Sequence, residues 1–341
     1  MVNLETIIND DRYDFLKENP HLGRNVFLLG LGGSHAYGTN NENSDVDVRG
    51  CALNSKNEIL LRHDFEQVVD TTTDTTIYSF NKLINLLVNC NPNVIEILGL
   101  KPEHYLFINK IGEELLKNKS MFLSKKATHS FGGYANAQLR RLDNKSARLA
   151  GMEEREKHVL NSINNASYTF REKYATYTDD QLKLYVGQSE HEDMEYEIFM
   201  DITLKHYPLR DWKGLYSEMS NIIRDYSKIG KRNKNAIEHN KLGKHMCHLV
   251  RLYYMAFDIL EKKEIITYRK AEHDFLMDIR NGKFLDDNRQ PVPEFFEIVS
   301  DLEKRLAYDV ENTDLPEYPD YDSINCFVAE VNERIVKGEY E

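Results

Sequence analysis

Residues 27–50 read FLLGLGGSHAYGTNNENSDVDVRG, and this stretch decides the fold. It begins with a short apolar run that ends in glycines, which is typical of a buried strand followed by a tight turn. A polar segment then separates the glycines from two aspartates, Asp45 and Asp47, with one valine between them. Like charges at this spacing repel each other, so the pair indicates a role that outweighs the repulsion.

Three common glycine and aspartate motifs do not fit this stretch. A dinucleotide-binding fingerprint would need a glycine where the chain has His35. A P-loop would need a lysine where the chain has Thr39. A calcium-binding loop would need oxygen ligands where the chain has Arg49 and Lys56. The sequence therefore excludes these three kinds of site.

A metal and a phosphate explain the stretch better. The alternation in residues 45–53 predicts a strand that carries Asp45 and Asp47 on one face. Two such carboxylates can share a divalent cation, and Mg²⁺ usually binds one or two carboxylates together with water and substrate phosphates. Gly33 and Ser34 offer backbone N–H groups and a hydroxyl to phosphate oxygens. The residues predict a nucleoside triphosphate and its metal at this place.

The rest of the chain predicts an α+β protein. Residues 65–80 favour a third strand that a polar run could interrupt, and helical spacing begins at Phe80 with Ser79 as its N-cap. Downstream, four segments favour helix: residues 131–142, 182–207, 243–265 and 293–310. We therefore expect an α/β domain over 1–120 and a mainly helical region over 121–341, with 153–240 as an insertion or peripheral helical region.

Charge is distributed unevenly along the chain. The net charge of −12 argues against an extended footprint on duplex nucleic acid, since such binding neutralises many phosphates. Two segments are basic nevertheless: residues 121–148 hold six basic and one acidic residue, and residues 224–251 hold eight and two. They indicate either a local anion site or chance clustering on solvated helix faces.

Targeting and redox signals are weak. No apolar run is long enough to span a membrane and the N-terminus does not resemble a signal peptide, so we expect a cytoplasmic protein with no membrane partner. The cysteines are isolated from one another, which favours buried, reduced thiols over disulfides or a zinc site. They are Cys51, Cys90, Cys247 and Cys326.

These elements resemble the signature of the DNA polymerase β nucleotidyltransferase superfamily, in which a hydrophobic residue and Gly-Gly or Gly-Ser precede two spaced acids. The residues at those positions are Leu31, Gly33, Ser34, Asp45, Val46, Asp47 and Val48. The fuller patterns GSHAYGT, SDVDVRG, IYSFNKLINLLVNCNPNVIEIL and KHMCHLVRL are similar to a narrower family of predicted nucleotidyltransferases associated with RNA ligases. The similarity covers residues 26–100, 129–142 and 241–282, and is absent from 153–235.

The resemblance implies an enzyme that transfers a nucleoside monophosphate from a triphosphate such as ATP to a hydroxyl, with an RNA or tRNA end as the acceptor. It also implies two Mg²⁺ ions, which Mn²⁺ could replace, held by three catalytic acids. Asp45 and Asp47 would be two of them. Asp74 is the preferred third acid and Asp70 the alternative, since an even spacing would place both on one strand face.

The resemblance further implies a set of nucleotide-binding residues: Gly33, Ser34, Arg49, Lys244, His248 and Arg251. The last three recur at i, i+4 and i+7, which is one stripe of a helix. Both Arg49 and this stripe are also compatible with ordinary surface charge. Glu96 falls within the family pattern too, although a surface glutamate that stabilises a helix is the alternative interpretation.

Two other functions stay open at this point. The same metal site could nucleotidylate a protein or a small molecule, or the chain could be a nucleotide-binding regulator that has lost catalysis. Ser34 together with the spaced aspartates favours an active enzyme over the regulator.

Overall fold

A computed structural model describes residues 7, 9–42, 44–61, 63, 65–128, 130–132, 135, 182–188, 196–213, 216–217, 220, 242–287 and 291–339. They contain a mixed five-stranded sheet, a separate two-stranded sheet and many helices. The helices predominate after residue 242, so the predicted α+β class with a helical C-terminal region is confirmed.

The strands are β1 (Val26–Leu31), β2 (Val48–Ala52), β3 (Gln67–Asp70), β4 (Thr75–Ser79), β5 (Tyr105–Ile108), β6 (Leu182–Gln188) and β7 (Tyr196–Ile202). The α-helices are α1 (Phe15–Glu18), α2 (Gly33–Tyr37), α3 (Lys56–Leu61), α4 (Phe80–Val88), α5 (Pro92–Ile95), α6 (Lys110–Lys117), α7 (Leu242–Phe257), α8 (His273–Arg280), α9 (Pro293–Asn312) and α10 (Tyr321–Lys337). A π-helical turn, Asp258–Lys262, continues α7.

The main sheet has the strand order β3-β4-β2-β1-β5. β1 is antiparallel to β2 and β5, whereas β2 and β4 are parallel. All six residues of β1 are buried, which confirms the strand predicted from its apolar run. The predicted strand over 45–53 is wrong at its start, because pairing with β1 begins at Leu31 and Val48. Asp45 and Asp47 therefore lie on the extended chain that leads into β2.

Residues 65–80 form a β-hairpin rather than one strand. β3 and β4 are antiparallel, and Asp70 pairs with Thr75 across the turn. Asp70 and Asp74 therefore do not share a strand face, because even spacing places residues on one face only along a continuous strand. α4 begins where the sequence predicts, with the Ser79 hydroxyl accepting a hydrogen bond from the Lys82 N–H at 3.1 Å.

Residues 182–207 contain a second hairpin, so the helix predicted there is wrong. β6 pairs antiparallel with β7 in a continuous register from Leu182–Ile202 to Gln188–Tyr196. The apolar residues Leu182, Leu184 and Val186 of β6 recur at every second position, which is the period of a strand. Much of the predicted insertion over 153–240 lies outside the described residues, as does most of the helix predicted over 131–142.

The chain divides into two compact units, each built from separated segments. One unit comprises Met1–Ala137, Cys247–Ile279 and Glu297–Glu341, and it contains the five-stranded sheet. The other comprises Gln138–Met246 and Arg280–Phe296. The boundary at residue 120 predicted from the sequence stays a prediction.

None of the helices in the described ranges is long and apolar enough to cross a bilayer. The four cysteines are free thiols. Cys51, Cys90 and Cys247 are buried as predicted, but Cys326 is exposed. The difference arises because α10 buries a different face, which carries Ile324 and Phe327.

A C-terminal segment is fixed to the sheet-containing unit by hydrogen bonds and a buried ion pair. The Thr267 N–H donates to the Gly99 carbonyl at 3.0 Å, and the Thr267 hydroxyl donates to the Glu96 carbonyl at 2.6 Å. The Arg269 Nη1 donates to Asp258 Oδ2 at 2.5 Å, and both side chains are almost completely buried. The pair therefore ties the end of α7 to the segment that follows it.

We expect Asp258→Ala to lower the free energy of unfolding by about 3–5 kcal/mol, because Arg269 would be left as a buried charge without its carboxylate. Lys262→Ala is the matched control, since the Lys262 ammonium also contacts Asp258 but its side chain is 54% exposed. Its loss should cost about 1 kcal/mol or less. Denaturant midpoints measure the stability of both variants. Equal losses of stability would show that the buried Asp258–Arg269 pair contributes no more than the exposed Lys262 contact.

Candidate active site

The glycine turn after β1 is built against Asp47. The Gly32 N–H donates to the Asp47 carbonyl at 2.8 Å, which extends the β1–β2 pairing by one residue. Gly33 has φ +54°, and a Cβ at this position would lie 1.6 Å from Asp47 Oδ2. Only glycine therefore allows the carboxylate to reach the turn.

The other end of α2 is fixed by the C-terminal segment. Gly38 ends the helix with φ +73°, and a Cβ there would lie 2.3 Å from the ring of Tyr268. Arg269, which follows Tyr268 in the chain, donates its backbone N–H to the Tyr37 carbonyl at 3.1 Å. The first N–H groups of a helix have no intrahelical acceptors. The N–H groups of Gly33 and the next residues are the first of α2, and contacts at both ends of α2 fix their position.

Arg49 links two of the predicted acids. Its Nη2 lies 3.3 Å from Asp74 Oδ1 and 3.8 Å from Asp47 Oδ1. Its Nη1 also donates to the Asp74 carbonyl at 2.6 Å. Asp74 is adjacent to Asp47 because β2 and β4 are parallel and Val48 pairs with Thr75. Asp74 also has a positive φ of 46°, which is uncommon for residues other than glycine.

Asp70 has a different environment from Asp74. Its Oδ1 accepts hydrogen bonds from the Thr73 N–H and the Thr73 hydroxyl, each at 2.8 Å. These hydrogen bonds, the side-chain one foremost, lower the pKa of Asp70. The carboxylate thus stabilises the turn between β3 and β4. This geometry favours Asp74 over Asp70 as the third acid.

The acids do not form a ready-made metal cluster. Among the described residues, no group of three or more His, Cys, Asp and Glu side chains is arranged to hold a metal ion. Asp45 is exposed, and the cation between Asp47 and Asp74 is the Arg49 guanidinium. The oxygen donors have the chemistry that Mg²⁺ prefers, but they would need water and phosphate oxygens to complete its coordination.

A cluster of polar side chains surrounds Tyr37 at the end of α2. Tyr37, on α2, donates its hydroxyl hydrogen bond to Glu96 Oε2 at 2.7 Å. The Arg251 guanidinium carbon lies 3.8 Å from the centroid of the Tyr37 ring, which is a cation–π contact. Burial raises the pKa of Glu96, against opposing contributions from Arg251, Tyr37 and Arg49. The surface interpretation of Glu96 is therefore wrong.

Sequence reasoning missed that Tyr37, Glu96 and Arg251 form one cluster, since they are far apart in the chain. One signal was present: Glu96 interrupts the apolar run VIEILGL, where an acid is more often buried and paired than exposed. Of the predicted helical stripe, Arg251 contacts α2 in the described structure. Lys244 is exposed and belongs to the other compact unit, and His248 is partly buried. Nucleotide binding by these three residues stays a prediction.

Comparison with known proteins decides the family. A family model described as RlaP, the RNA repair pathway DNA polymerase beta family, matches residues 3–330. The chain belongs to this family. No curated protein and no solved structure gave a significant match. Membership of the RNA repair pathway DNA polymerase beta family confirms the superfamily resemblance and suggests nucleotidyltransferase activity.

We expect Gly33→Ala to displace Asp47, because its methyl group would occupy the position of the carboxylate. A misplacement of about 1 Å can reduce a rate by about 100-fold, so nucleotidyl transfer should fall by at least that factor. Gly338→Ala is the control, since Gly338 has φ +79° but nothing within 4 Å of an added Cβ. It should cost about 1–2 kcal/mol of stability and leave transfer intact. Equal loss of transfer in both variants would remove the role assigned to this contact.

The raised pKa of Glu96 predicts a pH dependence of stability. The folded state holds the Glu96 proton more tightly than the unfolded state, whose pKa is near 4.5. Stability is therefore lost as the pH rises from that value through the folded pKa. Glu96→Gln cannot ionise, so its stability relative to wild type should increase over this range.

Glu114→Gln should show the opposite trend, because the hydrogen bond from Arg334 lowers the pKa of Glu114. Its stabilising contribution is present above the unfolded pKa and is lost as the pH falls through the folded pKa. Denaturant midpoints measured against pH for the three proteins test both signs. Parallel curves for Glu96→Gln and wild type would contradict the burial of a titrating Glu96.

Proposed function

We propose that the protein transfers a nucleoside monophosphate from a nucleoside triphosphate to a hydroxyl at an RNA end and releases pyrophosphate. One observation carries the proposal: the glycine turn and the Asp47 carboxylate are built against each other, so that backbone N–H groups suited to phosphate and an oxygen suited to a metal lie side by side. The family description supports RNA repair as the setting.

Each residue of the turn has a definite task in this proposal. The backbone N–H groups at Gly33 and Ser34 and the Ser34 hydroxyl would hold the triphosphate tail. Arg49 now binds the acids, and phosphate oxygens would give its guanidinium a second anionic partner. Both contacts would bring the α-phosphate close to Asp47 and Asp74.

The acids would hold Mg²⁺, with Mn²⁺ as a substitute, through Asp47 and Asp74 and with Asp45 as the outermost ligand. When bound, the metal supplies charge neutralisation to the α-phosphate and to the departing pyrophosphate. Since Arg49 lies between the carboxylates, we expect the metal to bind together with the triphosphate. Asp45 is exposed to solvent, as is much of the Asp74 side chain.

The transfer is a single displacement at the α-phosphorus. The acceptor hydroxyl oxygen forms a bond to this phosphorus as the bond to the β-phosphate bridging oxygen breaks. The hydroxyl proton passes to the Asp74 carboxylate, and pyrophosphate carries the electron pair of the broken bond away. Positioning and electrostatic stabilisation supply most of the catalysis in such reactions.

The test is to incubate the protein with each α-labelled triphosphate, Mg²⁺ and a mixed RNA pool that contains tRNA. Label on RNA, with equal release of pyrophosphate, is the expected result. Label on the protein or on another protein would favour protein nucleotidylation. Triphosphate binding without any transfer would favour a regulator that has lost catalysis.

Asp47→Asn and Asp74→Asn should each reduce transfer by orders of magnitude, because each removes a carboxylate that acts in the transition state. Asp70→Asn is the matched control on the same hairpin. It removes the charge of Asp70 but keeps an Oδ1 that can accept the hydrogen bonds from Thr73, and it removes no proposed ligand, so transfer should stay within a few-fold of wild type. Rates are measured with folded, purified variants. If Asp70→Asn is the more damaging change, the third acid is Asp70.

A further inference from the structure

Three large apolar residues of the second compact unit are exposed: Leu209, Trp212 and Tyr216. Residues 209–213 and 216–217 are helical, and in the sequence the three residues are spaced at i, i+3 and i+7, which is the spacing of one helix side. Their exposed fractions are 84%, 42% and 66%. Large apolar residues scattered singly need no explanation, but three at this spacing indicate a binding surface.

Two cations border this face. Lys213 follows Trp212 and lies at i+4 from Leu209, and Arg210 lies next to it around the helix. Both are exposed, and neither makes an ion pair in the part of the chain that the structure describes. Asp211, the one acid of residues 203–217, falls on the opposite side of the helix. The bordering charge is therefore positive in a protein whose net charge is −12.

The Trp212 ring also packs against a second aromatic ring. Tyr207 contacts it edge to face, with ring centroids 6.4 Å apart and an interplanar angle of 81°. This contact holds the Trp212 ring against a second ring while the residue stays 42% exposed. Exposed aromatic rings beside arginine and lysine form the usual platform for unpaired bases, which stack on the rings while the cations contact the backbone phosphates.

We propose that Leu209, Arg210, Trp212, Lys213 and Tyr216, the Trp212 surface, bind single-stranded RNA by base stacking. This inference rests on the proposed function for RNA as the substrate class. The bordering cations favour an anionic polymer over an apolar protein partner, and the accessible rings favour unpaired bases over a duplex, whose bases are already stacked.

Trp212 is the single tryptophan of the chain, so intrinsic fluorescence reports on this surface without labelling. Titration of the full-length protein with a short single-stranded oligoadenylate, without triphosphate or metal, should quench the emission. The same oligonucleotide in duplex form should quench it much less. Trp212→Ala should weaken binding by about 5- to 150-fold, which corresponds to the loss of one base stack.

Two further variants separate stacking from charge. Lys213→Ala should reduce the slope of log K against log salt by about 0.7, the value for one phosphate contact on a single strand. Tyr216→Ala should weaken binding as Trp212→Ala does. Tyr308→Ala is its control, because Tyr308, on α9, is 65% exposed but has no place in this surface. Equal effects of Tyr216→Ala and Tyr308→Ala would overturn the proposal.

Failure of this surface and failure of the proposed function give different results. Transfer of label to RNA with unchanged tryptophan emission would reject the Trp212 surface and leave the transferase intact. Quenching by the oligonucleotide without transfer to any RNA would reject the transferase and leave the surface. Equal quenching by duplex, no quenching at all, or an emission change that depends only on protein concentration would each overturn RNA stacking, the last in favour of self-association.

Discussion

The absence of a side chain at Gly33 is the constraint on which the site depends. Asp47 Oδ2 lies where a Cβ would stand, so the acid and the turn can meet only if this residue is glycine. The β1–β2 pairing sets the approach, because Leu31 and Val48 are partners and the Gly32 N–H binds the Asp47 carbonyl. Strand register thus determines the distance between the groups proposed to bind phosphate and metal.

Residues of the C-terminal half contact the elements that carry this site. Arg251 stacks on Tyr37, Tyr37 binds Glu96, and the segment after α7 fixes both Tyr37 and Glu96 through backbone contacts. These contacts hold the last residue of α2, Tyr37, in place. The position of the turn therefore depends on residues more than 200 positions away in the sequence.

Local chemistry made part of this arrangement predictable. The apolar run of β1, the Ser79 N-cap and the Gly-Ser turn with its spaced acids could all be recognised, because each depends on neighbouring residues. The start of β2, the β3–β4 hairpin and the β6–β7 hairpin depend on which strands pair, and propensity alone does not decide that. The Tyr37–Glu96–Arg251 cluster was beyond reach for the same reason, since it joins three distant segments.

Arg49 answers the question that the two aspartates raise. The Arg49 guanidinium, two residues after Asp47, offsets the charges of Asp47 and Asp74, whereas Asp45 is exposed to solvent. A divalent cation that binds the same oxygens must compete with this guanidinium, and phosphate oxygens can compensate by accepting hydrogen bonds from it. Under the proposed function, triphosphate and metal therefore favour each other's binding. The carboxylates would then be free of Arg49 only when a substrate is present to be transferred.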